Sequence, residues 1–189
     1  MQKKLFEMTL EELWELFPII LEEHNDCWND YYLEEVAKLK NILPKDAIIN
    51  HIGSTAIKDI WAKPIVDILI EINDNLCDVS LILQNNGWIK MNEQENRVSF
   101  NKGYTENGFA EKVYHLHLRY TGDNDEVYFR DYLITHPEIA KEYETLKLSL
   151  WKKFEHNRDG YTEAKGEFIK KYTELAKEND NLCGKSKIK

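Results

Sequence analysis

Only three cysteines, four prolines and eight glycines occur among the 189 residues. Cys27, Cys77 and Cys183 are odd in number, far apart and never in a CxxC spacing, so neither a disulfide framework nor a zinc knuckle fits and reduced thiols are expected. Proline and glycine do not cluster, and no internal repeat or low-complexity linker divides the chain. Apolar runs stay well short of the ~20 residues that cross a bilayer, which excludes a membrane-spanning reading. Residues 1–10 lack a basic region followed by an apolar stretch and a small-residue cleavage site, so a cytoplasmic location is expected. Positive charge is scarce: 25 Lys and Arg face 34 Asp and Glu, a net charge of -9. That balance disfavours long nucleic acid as a partner but accommodates a nucleotide or other small phosphorylated molecule held by a few converging cations.

What is present is an ordinary packing complement, 42% hydrophobic and 12% aromatic. One domain over residues 1–178 and a polar tail over 179–189 are expected. Thr9 and Glu12 have capping-box spacing ahead of a short amphipathic helix. Residues 17–21 read as a strand, and 28–43 as a helix stopped by Pro44, with Leu33, Val36, Ala37 and Leu39 on its apolar side. Residues 47–52 read as a strand entering the Gly53-Ser54 turn, and 55–61 as a short helix. The run at 65–72 is dense in β-branched residues and apolar on both faces except at Asp67 and Glu71, the mark of a central buried strand. A helix over 75–85 ends before Gly87, and strands at 88–91, 97–101 and 113–120 follow with antiparallel connections. Helices over 127–135, 137–154 and 162–177 complete the chain, Pro137 opening the second.

Three features carry chemistry. Gly53 and Ser54 lie between a strand and a helix, where free amides and a missing side chain admit an anion, although such turns also occur for backbone reasons alone. Asp67 interrupts an apolar strand, and a buried carboxylate needs a partner or a metal; Lys63 is one such partner. In Tyr114-His-Leu-His-Leu118, alternation points His115 and His117 to one face, placing two imidazoles within reach of one ion or phosphate. Arg130, Lys147 and Lys165 stand on late helices that can aim cations at a cleft, or can simply be solvated, with Arg130 free to pair with Asp131.

Several segments together resemble the GrpB family: HIGSTAIKDIWAKPIVDILIEI from His51, YHLHLRY from Tyr114, FRDYLITHPEIAKEYETLKLSL from Phe129 and YTEAKGEFI from Tyr161. The resemblance implies an α+β (α/β) architecture, a nucleotidyltransferase-like mixed β-sheet flanked by helices, with C-terminal helices. Active transferases of that superfamily hold two magnesium ions on two carboxylates one residue apart and a third from another strand. Here Leu69 stands at the second position. The resemblance therefore implies a site in which Asp67, His115 and His117 are catalytic and ligate a divalent metal, Mg2+ or Mn2+ or else Zn2+. His51, Gly53, Ser54, Lys63, Arg130, Lys147 and Lys165 would bind phosphate or ligand. Metal-dependent nucleotidyl transfer from a nucleotide to a small acceptor is the expected function. A non-catalytic nucleotide or phosphometabolite binding module and a metal-dependent phosphoesterase are the alternatives.

Overall fold

The computed structural model describes residues 3–186. Five strands form one mixed sheet in the order β1-β2-β5-β4-β3: β1 (Ile48–Ile52), β2 (Val66–Ile72), β3 (Ile89–Gln94), β4 (Arg97–Thr105) and β5 (Gly108–Tyr120). β2 and β5 run parallel at the centre, and the remaining neighbours are antiparallel. The helices are α1 (Leu10–Leu16), α2 (Cys27–Leu39), α3 (Leu76–Asn85), α4 (Asp125–Thr135), α5 (Pro137–Trp151), α6 (Arg158–Ala164) and α7 (Gly166–Ser186). This is the mixed, helix-flanked sheet with C-terminal helices that the sequence leads one to expect. Among the described residues no helix is long and apolar enough to cross a membrane.

Period-2 alternation gives the central strands two unlike faces. Val66, Ile68, Ile70 and Ile72 of β2, with Tyr114, Leu116 and Leu118 of β5, pack under α2 and α3 against Trp28, Leu39, Val79 and Leu83. The opposite face carries Asp67, Glu71, His115, His117 and Arg119, and is left for the site. A second apolar cluster joins Ile57 and Ile60 to Phe129, Leu133, Tyr143 and Tyr172, which holds the C-terminal helices beside that polar face.

Four local expectations change in the structure. Residues 17–21 bury Phe17, Ile19 and Leu21 in strand-like alternation, yet they join no sheet, because the Ile19 amide donates to the Glu155 carbonyl and only Glu22 bridges to Ala62. The helix expected over 55–61 shrinks to a three-residue 3-10 turn, Ser54–Ala56, since Ile57 and Ile60 are drawn into the second cluster instead of winding on. Leu33 is exposed, while Glu35, only 1% exposed, takes a place on the buried side of α2 by receiving Lys38 and Lys102 at 3.0 and 2.5 Å. The last expected helix is two: Asn157 caps α6 by accepting from the Gly160 amide, and α7 begins at Gly166 and continues through Ser186 where a tail was expected. Residues 187–189 of that tail lie outside the described residues. Thr9 and Glu12 form the capping box that their spacing requires.

Candidate active site

Gly53 follows β1 with φ 70° and ψ -173°, a conformation open essentially to glycine alone. A Cβ at this position would lie 2.3 Å from Asp67 Oδ2, so the absent side chain is what lets the turn close over the carboxylate. Antiparallel pairing sets Ile52 opposite Asp67, and parallel pairing sets Asp67 opposite His115. The acid and the imidazole thus meet by register alone.

The four groups that follow form one hydrogen-bonded chain. Asp67, held down to about 2 chiefly by the His115 hydrogen bond and the nearby positive charges despite the opposing cost of burial, is ionised and accepts from His115 Nδ1–H at 3.1 Å. Nε2 of the same ring therefore accepts, and its donor is the Tyr104 hydroxyl at 2.7 Å. Tyr104 in turn receives Arg158 Nη2 at 2.9 Å. Burial lowers the His115 pKa from 6.5, consistent with a neutral ring fixed as one tautomer by its neighbours. Tyr104→Phe removes the proton donor to Nε2, which stabilises only the neutral ring. The expected result is an upward move of the His115 titration, read by NMR, with a loss of about 1–3 kcal/mol for the partners left unmet; an unmoved titration would dissolve the chain.

Tyr104 and Arg158 escape a reading of the sequence. A bulge between Lys102 and Tyr104 breaks the pairing of β4 with β5, with Gly103 at φ +88° against the Lys112 carbonyl. Regular alternation would put Tyr104 on the face of Lys102, which points to Glu35 on the other side of the sheet. The bulge turns it over onto His115.

The remaining expected residues divide. Ser54 Oγ receives Lys147 Nζ at 2.9 Å, and the same ammonium donates to the Trp61 carbonyl. Lys63 and Lys165 flank the Tyr161 ring, their Nζ atoms 5.9 and 4.2 Å from its centroid. Neither ammonium makes a hydrogen bond or ion pair to a described residue, and the buried Tyr161 hydroxyl also has no partner among them. Burial lowers Lys63 to about 8 and Lys147 and Lys165 to about 7, and repulsion adds to it, from Arg158 at Lys63 and from neighbouring lysines at the other two.

His51 and Arg130 serve the framework. The His51 ring stacks on Tyr32 at 4.5 Å and donates to Thr55 Oγ1 at 3.0 Å, and burial drives its pKa down to about 4. Arg130 donates to the His51 carbonyl at 2.7 Å and pairs with its neighbour Asp131, tying α4 to β1 while its side chain still lines the cleft. Glu71 shares the face of Asp67 but serves a turn, accepting from the Gly122 amide at 2.9 Å and Asn124 at 3.1 Å.

Two cavities open on this face. A cleft of about 670 Å³ runs from Gly53, Ser54, Asp67 and His117 to α4 and α7. A second space, about 740 Å³, lies between α1 and the sheet and includes His115, His117 and Arg158. His117 borders both, and burial lowers its pKa. The expected metal trio is not assembled as a cage: both His115 nitrogens are engaged, and among the described residues no three His, Cys, Asp or Glu side chains are grouped to hold a metal.

A mixed sheet that brings a glycine turn, an acid and paired imidazoles onto one face, beside a C-terminal helical layer, defines an α+β protein with a polar central cleft. Residues 18–175 match the family described as GrpB protein, and the chain belongs to the GrpB family. It is 34% identical over 162 residues to UPF0157 protein YqkA of Bacillus subtilis, covering 82% of this chain and 46% of that protein. It is also 34% identical over 161 residues to the glutamate-rich protein GrpB of Alkalihalophilus pseudofirmus, over 80% of this chain and 91% of that one. Among solved structures, conserved protein GrpB from Enterococcus faecalis superimposes with a TM-score of 0.71 at 29% identity, over 83% of this chain and 96% of that one. The chain thus spans about half of the Bacillus relative and nearly all of the other two.

Proposed function

We propose that the cleft binds a nucleotide or another small phosphorylated molecule, its phosphates drawn to the Gly53-Ser54 turn by Lys147, Lys165 and Lys63. The observation that carries this reading is an imbalance of buried charge. Lys63 and Lys165, which repel one another, share the field of one ionised carboxylate, Asp67, while Lys147 repels both and is offset by Glu144, and the Lys63 and Lys165 ammonium groups and the Tyr161 hydroxyl have no acceptor among the described residues. A buried ammonium is costly without a counter-charge, and a phosphate chain supplies several acceptor oxygens to all of them. The short turn after Gly53 contributes less, because the Ala56 and Ile57 amides already bond within it.

A second reading, nucleotidyl transfer to a small acceptor, is favoured by His117, whose lowered pKa leaves a neutral ring at the junction of the two cavities, where a base between two substrates would stand. The donor set does not fit a divalent ion held by protein alone, with His115 engaged at both nitrogens and Leu69 fully buried. Magnesium then belongs with the phosphates of the substrate, and the residues' own part is to bind, orient and accept a proton.

Thermal unfolding with tripolyphosphate, ATP and UTP, each with and without Mg2+, tests the reading. A ligand at a hundredfold its Kd is expected to add about 2.7 kcal/mol, roughly 5–10 °C for a chain of this size. No shift with any phosphate ligand at millimolar concentration overturns it, and stabilisation by Mg2+, Mn2+ or Zn2+ alone replaces it with a metal-centred phosphoesterase.

A further inference from the structure

The second cavity has a chemistry of its own. Trp14 and Phe17 on one side and Ile89 and Met91 on the other make its body apolar, and its volume of about 740 Å³ is that of a small-molecule site. Phe6, Leu10, Ile89 and Met91 border it with 86%, 51%, 45% and 57% of their surface exposed. Contiguous exposed apolar surface of this kind marks a place where something binds.

Its inner end carries one cation, Arg158, and Glu106 and Asp159 also line the cavity. Arg158 lies over the Tyr104 and Phe109 rings at 5.5 and 6.0 Å, and its hydrogen bond to a described residue is the one from Nη2 to the Tyr104 hydroxyl. No carboxylate of a described residue pairs with it, although the guanidinium is only partly exposed and presents five N–H groups in a fork shaped for a carboxylate. The roof, residues 5–17, precedes the span 18–175 over which the chain matches its family. One apolar wall is therefore built by residues that precede that span.

We propose that this cavity binds a small carboxylic acid with an apolar or aromatic body, the carboxylate on Arg158 and the body between Trp14, Phe17 and Ile89. Such an acid would be the second substrate of the two-cavity reading, and the proposal rests on that reading for the acid's role as acceptor. Binding itself needs only the cavity and Arg158.

Calorimetric titration of the full chain, without nucleotide, with octanoate and indole-3-acetate against the matching amides tests it. The acids are expected to bind at least tenfold more tightly than the amides, and Arg158→Gln is expected to erase the difference. Leu13→Glu places a negative charge in the wall and should abolish acid binding while the tripolyphosphate shift persists; Met91→Glu at the rim makes the same test should Leu13→Glu fail to fold. Equal binding of acid and amide overturns the proposal, as does the absence of binding while tripolyphosphate still stabilises. Self-association through Phe6 and Leu10, seen by sedimentation and lost in Leu10→Glu, would give the surface to a second copy and overturn it as well. Acid binding without any phosphate response keeps this inference and removes the cleft reading.

Discussion

Gly53→Ala is expected to lower the melting temperature by about 10 °C or more, and to abolish any response to tripolyphosphate. Two costs combine. The backbone conformation at φ 70°, ψ -173° is strained by about 1–3 kcal/mol for any residue with a side chain. The new Cβ would also stand 2.3 Å from Asp67 Oδ2 and 3.0 Å from its Cβ and Cγ, so the carboxylate must leave its hydrogen bond with His115. A buried charge that loses its partner costs roughly 3–5 kcal/mol. Gly87→Ala separates the two costs, because Gly87 has φ +84° with nothing within 4 Å of a new Cβ. That variant is expected to lose about 1 kcal/mol. Equal losses in calorimetry of the two variants would show that the closeness of Gly53 to Asp67 has no consequence.

Lys165→Met is expected to do the opposite to stability and the same to binding. The lysine is 9% exposed, lies on the Tyr161 ring and forms no ion pair with a described residue, and replacing such a buried charge by an apolar chain of similar length is expected to stabilise by roughly 1–4 kcal/mol. Unfolding should move up by several degrees while the tripolyphosphate shift disappears. The pH dependence follows from the same burial, which lowers Lys165 from 10.5 to about 7. Between those values the unfolded chain carries more protons than the folded one, so unliganded stability rises as pH climbs from about 7 towards 10.5. A bound phosphate chain raises the lysine pKa again and takes up protons. Its stabilisation is accordingly greatest at and below pH 7, and falls several-fold by pH 9 as Lys63, Lys147 and Lys165 lose charge in the free protein. Stabilisation that held level from pH 6 to 9 would separate the phosphates from the lysines. An unliganded Lys165→Met protein less stable than the parent would show instead that the lysine serves packing.

How far the sequence discloses this arrangement depends on the range over which each feature is determined. The apolar run around Asp67 and the alternation around His115 are local, and they place acid and imidazole correctly because parallel pairing brings the two strands into register. Ser54 and Lys147 meet only because α5 folds back over the turn, and the sequence offers that lysine without saying what it touches. Residues 17–21 alternate like a strand, yet their amide at Ile19 is claimed by Glu155, a partner more than a hundred residues distant that no local pattern reveals. His51 carries the resemblance but serves the framework through Tyr32 and Thr55, since a ring nitrogen that points into a turn looks the same in sequence as one that points into a cleft. Tyr104 was hidden by parity, because counting by twos along β4 assigns it to the wrong side.

That parity has a wider consequence. With Gly103 at φ +88° breaking the alternation, β4 presents Lys102 to the buried Glu35 beneath the sheet and, two positions on, Tyr104 to the histidine above it. Neighbouring side chains of one strand therefore answer to different compartments of the molecule, one to its foundation and one to its chemistry. Gly103→Ala, which would press a Cβ to 2.2 Å from the Lys112 carbonyl, would therefore disturb both compartments at once.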